Sequence, residues 1–149
     1  ENRYWLIVCE KQTDKTKKLA NFFKKLGSIV EIVNTEYHDK ILAITSHLPH
    51  LIAYTIVGTA SDLETDLKND VIKYSASGFR DFTRIAASDP IMWRDIFINN
   101  SDAVLEMLDY FSNDLDKFFS GNFINNPSLV SLILLVTDFI SILSLNKDL

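Results

Sequence analysis

The chain has 149 residues, of which 47% are apolar, and its 15 lysines and arginines against 20 aspartates and glutamates give a net charge of −5. This length and composition suit one globular domain, or one domain with part of another. The acidic balance argues against a nucleic-acid partner, because binding to phosphates needs a clustered excess of cations. The single cysteine, Cys9, excludes a disulfide within the chain and fits a reducing, cytoplasmic location.

The first 35 residues have the pattern of a β-α-β unit. Tyr4–Cys9 and Ile29–Val33 are apolar runs typical of buried parallel strands, and Thr13 is expected to cap an intervening helix that ends at Gly27. Two strands and one helix are too few for a stable domain, so this segment predicts the last portion of a larger α/β domain. Because the chain starts at Glu1 instead of Met, we expect it to be cut from a longer protein. No G-x-G-x-x-G phosphate loop occurs, so no cofactor-binding residue is predicted in this chain.

Residues 36–149 have helical periodicity. A helix capped by Thr35 is expected to run to about residue 63, with a kink at Pro49, whose ring removes one backbone bond. Pro127–Leu145 is strongly apolar, and a membrane span there is an alternative. However, Asp138 in its middle would cost about 3 kcal/mol, which favours a helix buried against a partner subunit. The predicted fold class is mainly α, a helical domain preceded by a β-α-β remnant of a Rossmann-type domain.

All three histidines of the chain, His38, His47 and His50, lie in one short stretch of the first long helix. His47 and His50 are three residues apart and therefore share a face, with Ser46 beside them. One interpretation is a pocket wall, and another is that both rings are satisfied core or surface groups. A metal site that includes Asp39 is a third, which we disfavour because no further carboxylate completes the ligand set locally.

A second polar patch follows Gly78, which we expect to form a tight loop before a short helix. Arg80 and Arg84 lie four residues apart on that helix with Asp81 beside them. Two neighbouring guanidiniums repel unless an anion bridges them, so this pattern suits a substrate carboxylate. The alternative is an Arg/Asp network that joins helices.

The next helix is expected to start at Asp89, which can cap it, with Pro90 in its first turn. Trp93 then lies one turn inside the helix. Its indole could form an apolar wall beside the arginine patch.

These blocks together resemble the prephenate (cyclohexadienyl/arogenate) dehydrogenase family. The resemblance extends to about residue 118 and rests on His38-Asp39, Ser46-His47-Leu48-Pro49-His50, Gly78-Phe79-Arg80-Asp81-Phe82-Thr83-Arg84 and Ser88-Asp89-Pro90-Ile91-Met92-Trp93-Arg94-Asp95. It implies an NAD- or NADP-binding domain followed by a helical domain through which two subunits intertwine. Residues 1–35 would then be the last strand-helix-strand portion of the nucleotide-binding domain, and residues 36–149 the helical substrate-binding and dimerisation domain.

The resemblance also implies the chemistry, an oxidative decarboxylation of prephenate to 4-hydroxyphenylpyruvate in tyrosine biosynthesis. It implies a cytoplasmic homodimer, a small-molecule substrate (prephenate or arogenate), tyrosine as a candidate inhibitor, and neither a membrane nor a nucleic-acid partner. The substrate-binding residues that match the family are His47, His50, Arg80, Asp81, Arg84 and Trp93, with His38, Asp39 and Ser46 supporting them.

The family's catalytic histidine belongs to the nucleotide-binding domain and has no match here. The chain alone is therefore expected to be inactive, with NAD or NADP bound mainly outside it. One departure from the family is Glu10-Lys11-Gln12-Thr13, where a Thr-Pro pair is usual. The alternative function is a helical dimerisation or ligand-binding module without catalysis.

Overall fold

The computed structural model describes residues 3–119. The elements in chain order are β1 (Tyr4–Val8), α1 (Asp14–Lys25), β2 (Ile29–Val33), α2 (Thr35–Leu42), a π-helical turn (Ala43–His47), α3 (Leu48–Ser61), α4 (Thr65–Tyr74), α5 (Ser77–Ala86), α6 (Pro90–Asn99) and α7 (Ser101–Phe119). The predicted fold class, mainly α with a β-α-β start, is confirmed. The apolar segment Pro127–Leu145 lies outside the described residues.

Contacts divide the chain into two units. Of the described residues, one unit contains 3–35 together with 109–119, and the other is Glu36–Leu108. In the first unit, β1 and β2 pair in parallel, with Tyr4 opposite Ile29. Within β1 only Ile7 is buried, so the described residues leave most of this two-stranded sheet uncovered.

Both ends of α1 are fixed by local hydrogen bonds, as the sequence predicts. The Thr13 hydroxyl accepts from the Thr16 N–H at 3.2 Å, and the Thr16 hydroxyl accepts from the Thr13 N–H at 2.7 Å, a complete capping box. Gly27 ends the helix with φ of 81°, a left-handed conformation that glycine adopts without a steric penalty. The Ser28 N–H then donates to the Phe23 carbonyl at 3.2 Å.

Thr35 is the first residue of α2 and not its cap, which corrects the sequence prediction. Its backbone N–H donates to the carboxylate of Glu10 at 3.1 Å, so the acidic residue supplies the acceptor. The hydrogen bonds from Thr35 lower the pKa of Glu10. Glu10 belongs to the segment that departs from the family pattern, and its contact gives that segment a local structural role.

From Thr35 to Ser61 the chain forms one helical stretch of 27 residues, with the π-helical turn in its middle. Pro49 lies in the first turn of α3, where its missing N–H is tolerated. The predicted disturbance at the proline therefore takes the form of a π-helical turn just before it. By length and composition this stretch could cross a membrane, a criterion that the core helices of helical domains also meet.

The core of the second unit lies where the π-helical turn meets the start of α7. Ala43 is fully buried and packs with Ala103 and Val104, whose small side chains allow the two helices to approach closely. Further contacts come from Leu51, Phe97 and Met107. Elsewhere α3 packs against α5, and the Tyr54 hydroxyl donates to the Ser88 carbonyl at 3.1 Å, which ties α3 to the turn between α5 and α6.

Candidate substrate-binding site

The π-helical turn positions the two neighbouring histidines. His47 is its last residue and is 7% exposed, and His50 follows in the first turn of α3. The Leu48 N–H reaches back five residues to the Ala43 carbonyl, as a π-helical turn requires. Both imidazoles thus come from one continuous helical stretch of the second unit.

The side-chain amide of Asn100 holds His47 in place. Nδ2 of Asn100, at the corner between α6 and α7, lies 3.0 Å from Nδ1 of His47 and 2.9 Å from the backbone carbonyl of Asp39. Burial lowers the pKa of His47, the charges of His38 and His50 lower it further, and Asp39 opposes them. The neutral imidazole is therefore the favoured form at neutral pH.

His50 is fixed by its own helix and by an indole. Its Nδ1 lies 2.9 Å from the Ser46 carbonyl, and its ring stacks on Trp93 with centroids 3.6 Å apart and planes 19° apart. Ser46 therefore supports the site through its backbone. The Nε2 atoms of His47 and His50 make no hydrogen bond within residues 3–119.

Trp93 is the aromatic centre of the cluster. It is 6% exposed. Its ring centroid lies 6.0 Å from that of His47, in an edge-on arrangement, and 5.5 Å from that of Phe97. The Asp89 carboxylate caps its helix by accepting from the Met92 N–H at 2.8 Å, with Pro90 next in the chain, as the sequence predicts. The buried indole Nε1 has no hydrogen-bond partner among the described residues. An unpaired buried donor is costly, so this N–H is a group that a further partner would stabilise.

His38 pairs with its neighbour in sequence, Asp39. Its Nδ1 lies 2.8 Å from a carboxylate oxygen of Asp39, and both side chains are partly exposed. Asp39 thereby links His38 to the His47 contact, because its carboxylate pairs with His38 and its backbone carbonyl accepts a hydrogen bond from Asn100. Residues 3–119 contain no group of three or more metal-ligating side chains arranged around one point.

The arginine patch lies on α5, and it is exposed. Arg84 and Asp81 form a loose pair at 3.6 Å within that helix, with side chains 72% and 71% exposed, and Arg80 is exposed beside them. The other arginine pair, Arg94 with Asp95, joins adjacent residues. Neither pair connects two helices, so the alternative of an inter-helix network is wrong for these contacts.

Gly78 corrects a further prediction. It lies inside the first turn of α5, which begins at Ser77 after Ala76, and its φ is not positive. The expected loop is therefore part of the helix. Apart from its own helix backbone, no atom of residues 3–119 lies within 4 Å of the position that a Cβ at Gly78 would occupy.

Sequence reasoning missed Asn100, which contacts His47 across 53 positions of the chain. In the sequence it reads as a turn residue between two helices, and its carbonyl does accept the first backbone bond of α7, from Val104 at 3.1 Å. Only the packing of α7 on the π-helical turn brings its amide to the imidazole.

Comparison with known proteins identifies the family. The model of the prephenate dehydrogenase dimerization domain matches residues 34–132. The chain belongs to the prephenate dehydrogenase family. The match contains the histidine stretch, the arginine patch and Trp93, so all the candidate site residues lie within the family's domain.

Curated relatives and solved structures agree with this assignment. Cyclohexadienyl dehydrogenase of Zymomonas mobilis is 43% identical over 99 residues, which is 66% of this chain and 34% of that protein. Prephenate dehydrogenase of Bacillus subtilis is 35% identical over 119 residues, which is 78% of this chain and 32% of that protein. The chain thus spans about a third of the length of these curated relatives.

The solved structure of A. aeolicus prephenate dehydrogenase in complex with hydroxyphenyl propionate and NAD+ superposes with a TM-score of 0.79. It is 32% identical and matches 93% of this chain, which covers 50% of that structure. Synechocystis arogenate dehydrogenase, at 20% identity and a TM-score of 0.76, shares the fold.

Proposed function

We propose that this chain is the helical, substrate-binding and dimerising part of an NAD- or NADP-dependent dehydrogenase of tyrosine biosynthesis. The reaction is the oxidative decarboxylation of prephenate to 4-hydroxyphenylpyruvate. The ring carbon that bears the hydroxyl would lose a hydride to the nicotinamide, and the ring carboxylate would depart as carbon dioxide, while the oxygen ends with its proton as the hydroxyl of the phenol. The electrons of the broken carbon–carbon bond complete the aromatic ring.

The observation that carries this proposal is the cluster of unpaired ring nitrogens around Trp93. Nε2 of His47, Nε2 of His50 and Nε1 of Trp93 lack partners within residues 3–119, although both imidazole rings lie against the indole of Trp93. A cluster that combines aromatic rings with several polar atoms lacking partners among the described residues suits a ligand that is itself a ring bearing oxygen atoms. Family membership supports a cyclohexadienyl compound as that ligand class.

We assign two tasks to the residues of this chain. His47 and His50 orient oxygen atoms of the ligand through their Nε2 atoms, and the exposed guanidinium of Arg84 pairs with a carboxylate, for which its bidentate fork is suited. Arg80 and Asp81 lie beside Arg84 on α5 and influence its approach. The chain sequence contains no glycine-rich phosphate loop, so the residues present do not fit a dinucleotide cofactor, and we assign its binding to sequence N-terminal to this chain.

The proposal is tested by assaying reduced cofactor at 340 nm with the chain alone and with the chain joined to its upstream coding sequence. Prephenate and arogenate are each supplied with NAD and with NADP. We expect turnover only by the longer protein, and the preferred pair of substrates identifies the enzyme class. Turnover by the isolated chain would contradict our assignment of the cofactor site. A longer protein that dimerises but binds neither substrate would instead support the module without catalysis.

A further inference from the structure

Asn100 touches both a backbone carbonyl and the ring of His47. We propose that Asn100 is a positioning residue that holds His47 in a single tautomer, with its proton on Nε2. Family membership does not require this role, which follows from the hydrogen bonds at the corner between α6 and α7.

The identity of the Asn100 atom is settled by its other partner. The atom lies 2.9 Å from the Asp39 carbonyl oxygen, which can only accept, so it must be the amide nitrogen and not the amide oxygen. The same nitrogen lies 3.0 Å from Nδ1 of His47. An amide NH2 group has two hydrogens and can donate to both acceptors.

The tautomer of His47 follows from this contact. A ring nitrogen that receives an amide N–H must offer a lone pair, so Nδ1 carries no proton. The single proton of the neutral ring is then on Nε2. Protonation of Nδ1 would set two N–H groups against each other, which disfavours the imidazolium in the same direction as burial does. The charged groups whose fields reach the ring are His38, Asp39 and His50, whereas Asn100 contributes a neutral amide.

His50 has the opposite arrangement. Its Nδ1 faces the Ser46 carbonyl at 2.9 Å and must therefore donate, which leaves Nε2 of the neutral ring as an acceptor. The cluster thus presents one Nε2–H donor and one Nε2 acceptor. If the proposed function is right, a ligand hydroxyl can accept a hydrogen bond from His47 and donate one to His50, and this step alone depends on that function.

The test is nitrogen-15 NMR of the chain with labelled histidine. The sequence has only three histidines, so each imidazole can be assigned from the single substitutions His38→Gln, His47→Gln and His50→Gln. We expect Nδ1 of His47 and Nε2 of His50 to show the shifts of unprotonated ring nitrogens. A protonated Nδ1 on neutral His47 in the native chain would overturn the proposal.

The decisive variant is Asn100→Asp. A carboxylate at this position can only accept, so we expect the His47 proton to move to Nδ1 and the pKa of His47 to rise. Asn99→Asp is the matched control, because it adds the same charge one residue away on an exposed side chain that bonds to the Asp95 carbonyl. Asn100→Ala should give a mixture of tautomers.

An unchanged tautomer and pKa in a folded Asn100→Asp chain would refute the role of Asn100. A correct tautomer without dehydrogenase activity in the longer protein would count against the proposed function alone.

Discussion

Replacement of Trp93 separates its packing from its unused hydrogen-bond donor. The indole is 6% exposed and contacts His50, His47 and Phe97, so Trp93→Ala removes a buried ring and leaves a cavity. Such changes cost about 3 to 5 kcal/mol, a large part of the roughly 5 to 15 kcal/mol that stabilises a typical domain.

Trp93→Phe should be much milder. Phenylalanine keeps one aromatic ring for the stack on His50 and removes the buried N–H that lacks a partner among residues 3–119. Removal of this unpaired buried N–H should recover about 1 to 3 kcal/mol of the stability lost by trimming the indole, so we expect the free energy of unfolding to fall by no more than about 1 kcal/mol.

Urea unfolding followed by far-ultraviolet circular dichroism measures these differences. Trp5→Ala is the matched control in the first unit, because Trp5 is 45% exposed and stacks on Phe23 at 3.8 Å. We expect this control to cost about 0.5 to 1.5 kcal/mol from the lost stack. The reasoning is refuted if Trp93→Ala costs no more than Trp5→Ala, or if Trp93→Phe costs as much as Trp93→Ala.

Four further predictions concern backbone, charge and assembly. Gly27→Ala should destabilise the fold by about 1 kcal/mol because φ is 81°. Gly58→Ala inside α3 should stabilise it by about 0.5 to 1 kcal/mol, because the new Cβ would meet no atom of the described residues beyond the helix backbone, and thermal unfolding measures both changes. Because the pKa of His47 is lowered in the fold, the folded chain binds fewer protons than the unfolded chain as the pH falls. The contribution of neutral His47 to the free energy of unfolding is therefore present above about pH 6.5 and is lost at lower pH. If His47→Gln loses the same stability on acidification, His47 is not the cause. Arg84→Ala in the longer enzyme should raise KM with little change in melting temperature, since its ion pair is exposed, and Arg84→Lys should recover only part of the loss; the reverse pattern would indicate a structural role. Sedimentation equilibrium should give twice the 17.0 kDa of one chain, because the helices expose many large apolar side chains, and a constant mass of one chain would contradict this.

Features set by neighbours in sequence were predictable. The Thr13 capping box, the left-handed Gly27 and the Asp89 cap depend on a few adjacent residues, and each was confirmed. Gly78 was not, because glycine allows a loop but does not require one, and the helix simply begins one residue earlier. The π-helical turn before Pro49 was foreseen only as a kink, since a proline disturbs a helix without dictating how the bonds rearrange.

In the candidate site, too, the sequence predicted features set by adjacent residues and missed contacts between residues far apart in the chain. His47 and His50 share a helical face by spacing, so their proximity was readable from the sequence. Their contacts with Trp93 and Asn100 were not, because these depend on how α6 and α7 pack against the long helix. No pattern within a short window could have assigned Asn100 a part in the site.

The two neighbouring histidines show why residue type alone does not define chemistry. They lie three positions apart on one helical segment, yet the Nδ1 of one meets an amide N–H and the Nδ1 of the other meets a carbonyl oxygen. Opposite partners impose opposite proton positions, so Nε2 is a donor on His47 and an acceptor on His50. A ligand hydroxyl placed between them would be oriented in both senses by a single rigid element. The π-helical turn and the corner at Asn100 therefore convert two identical side chains into two complementary groups.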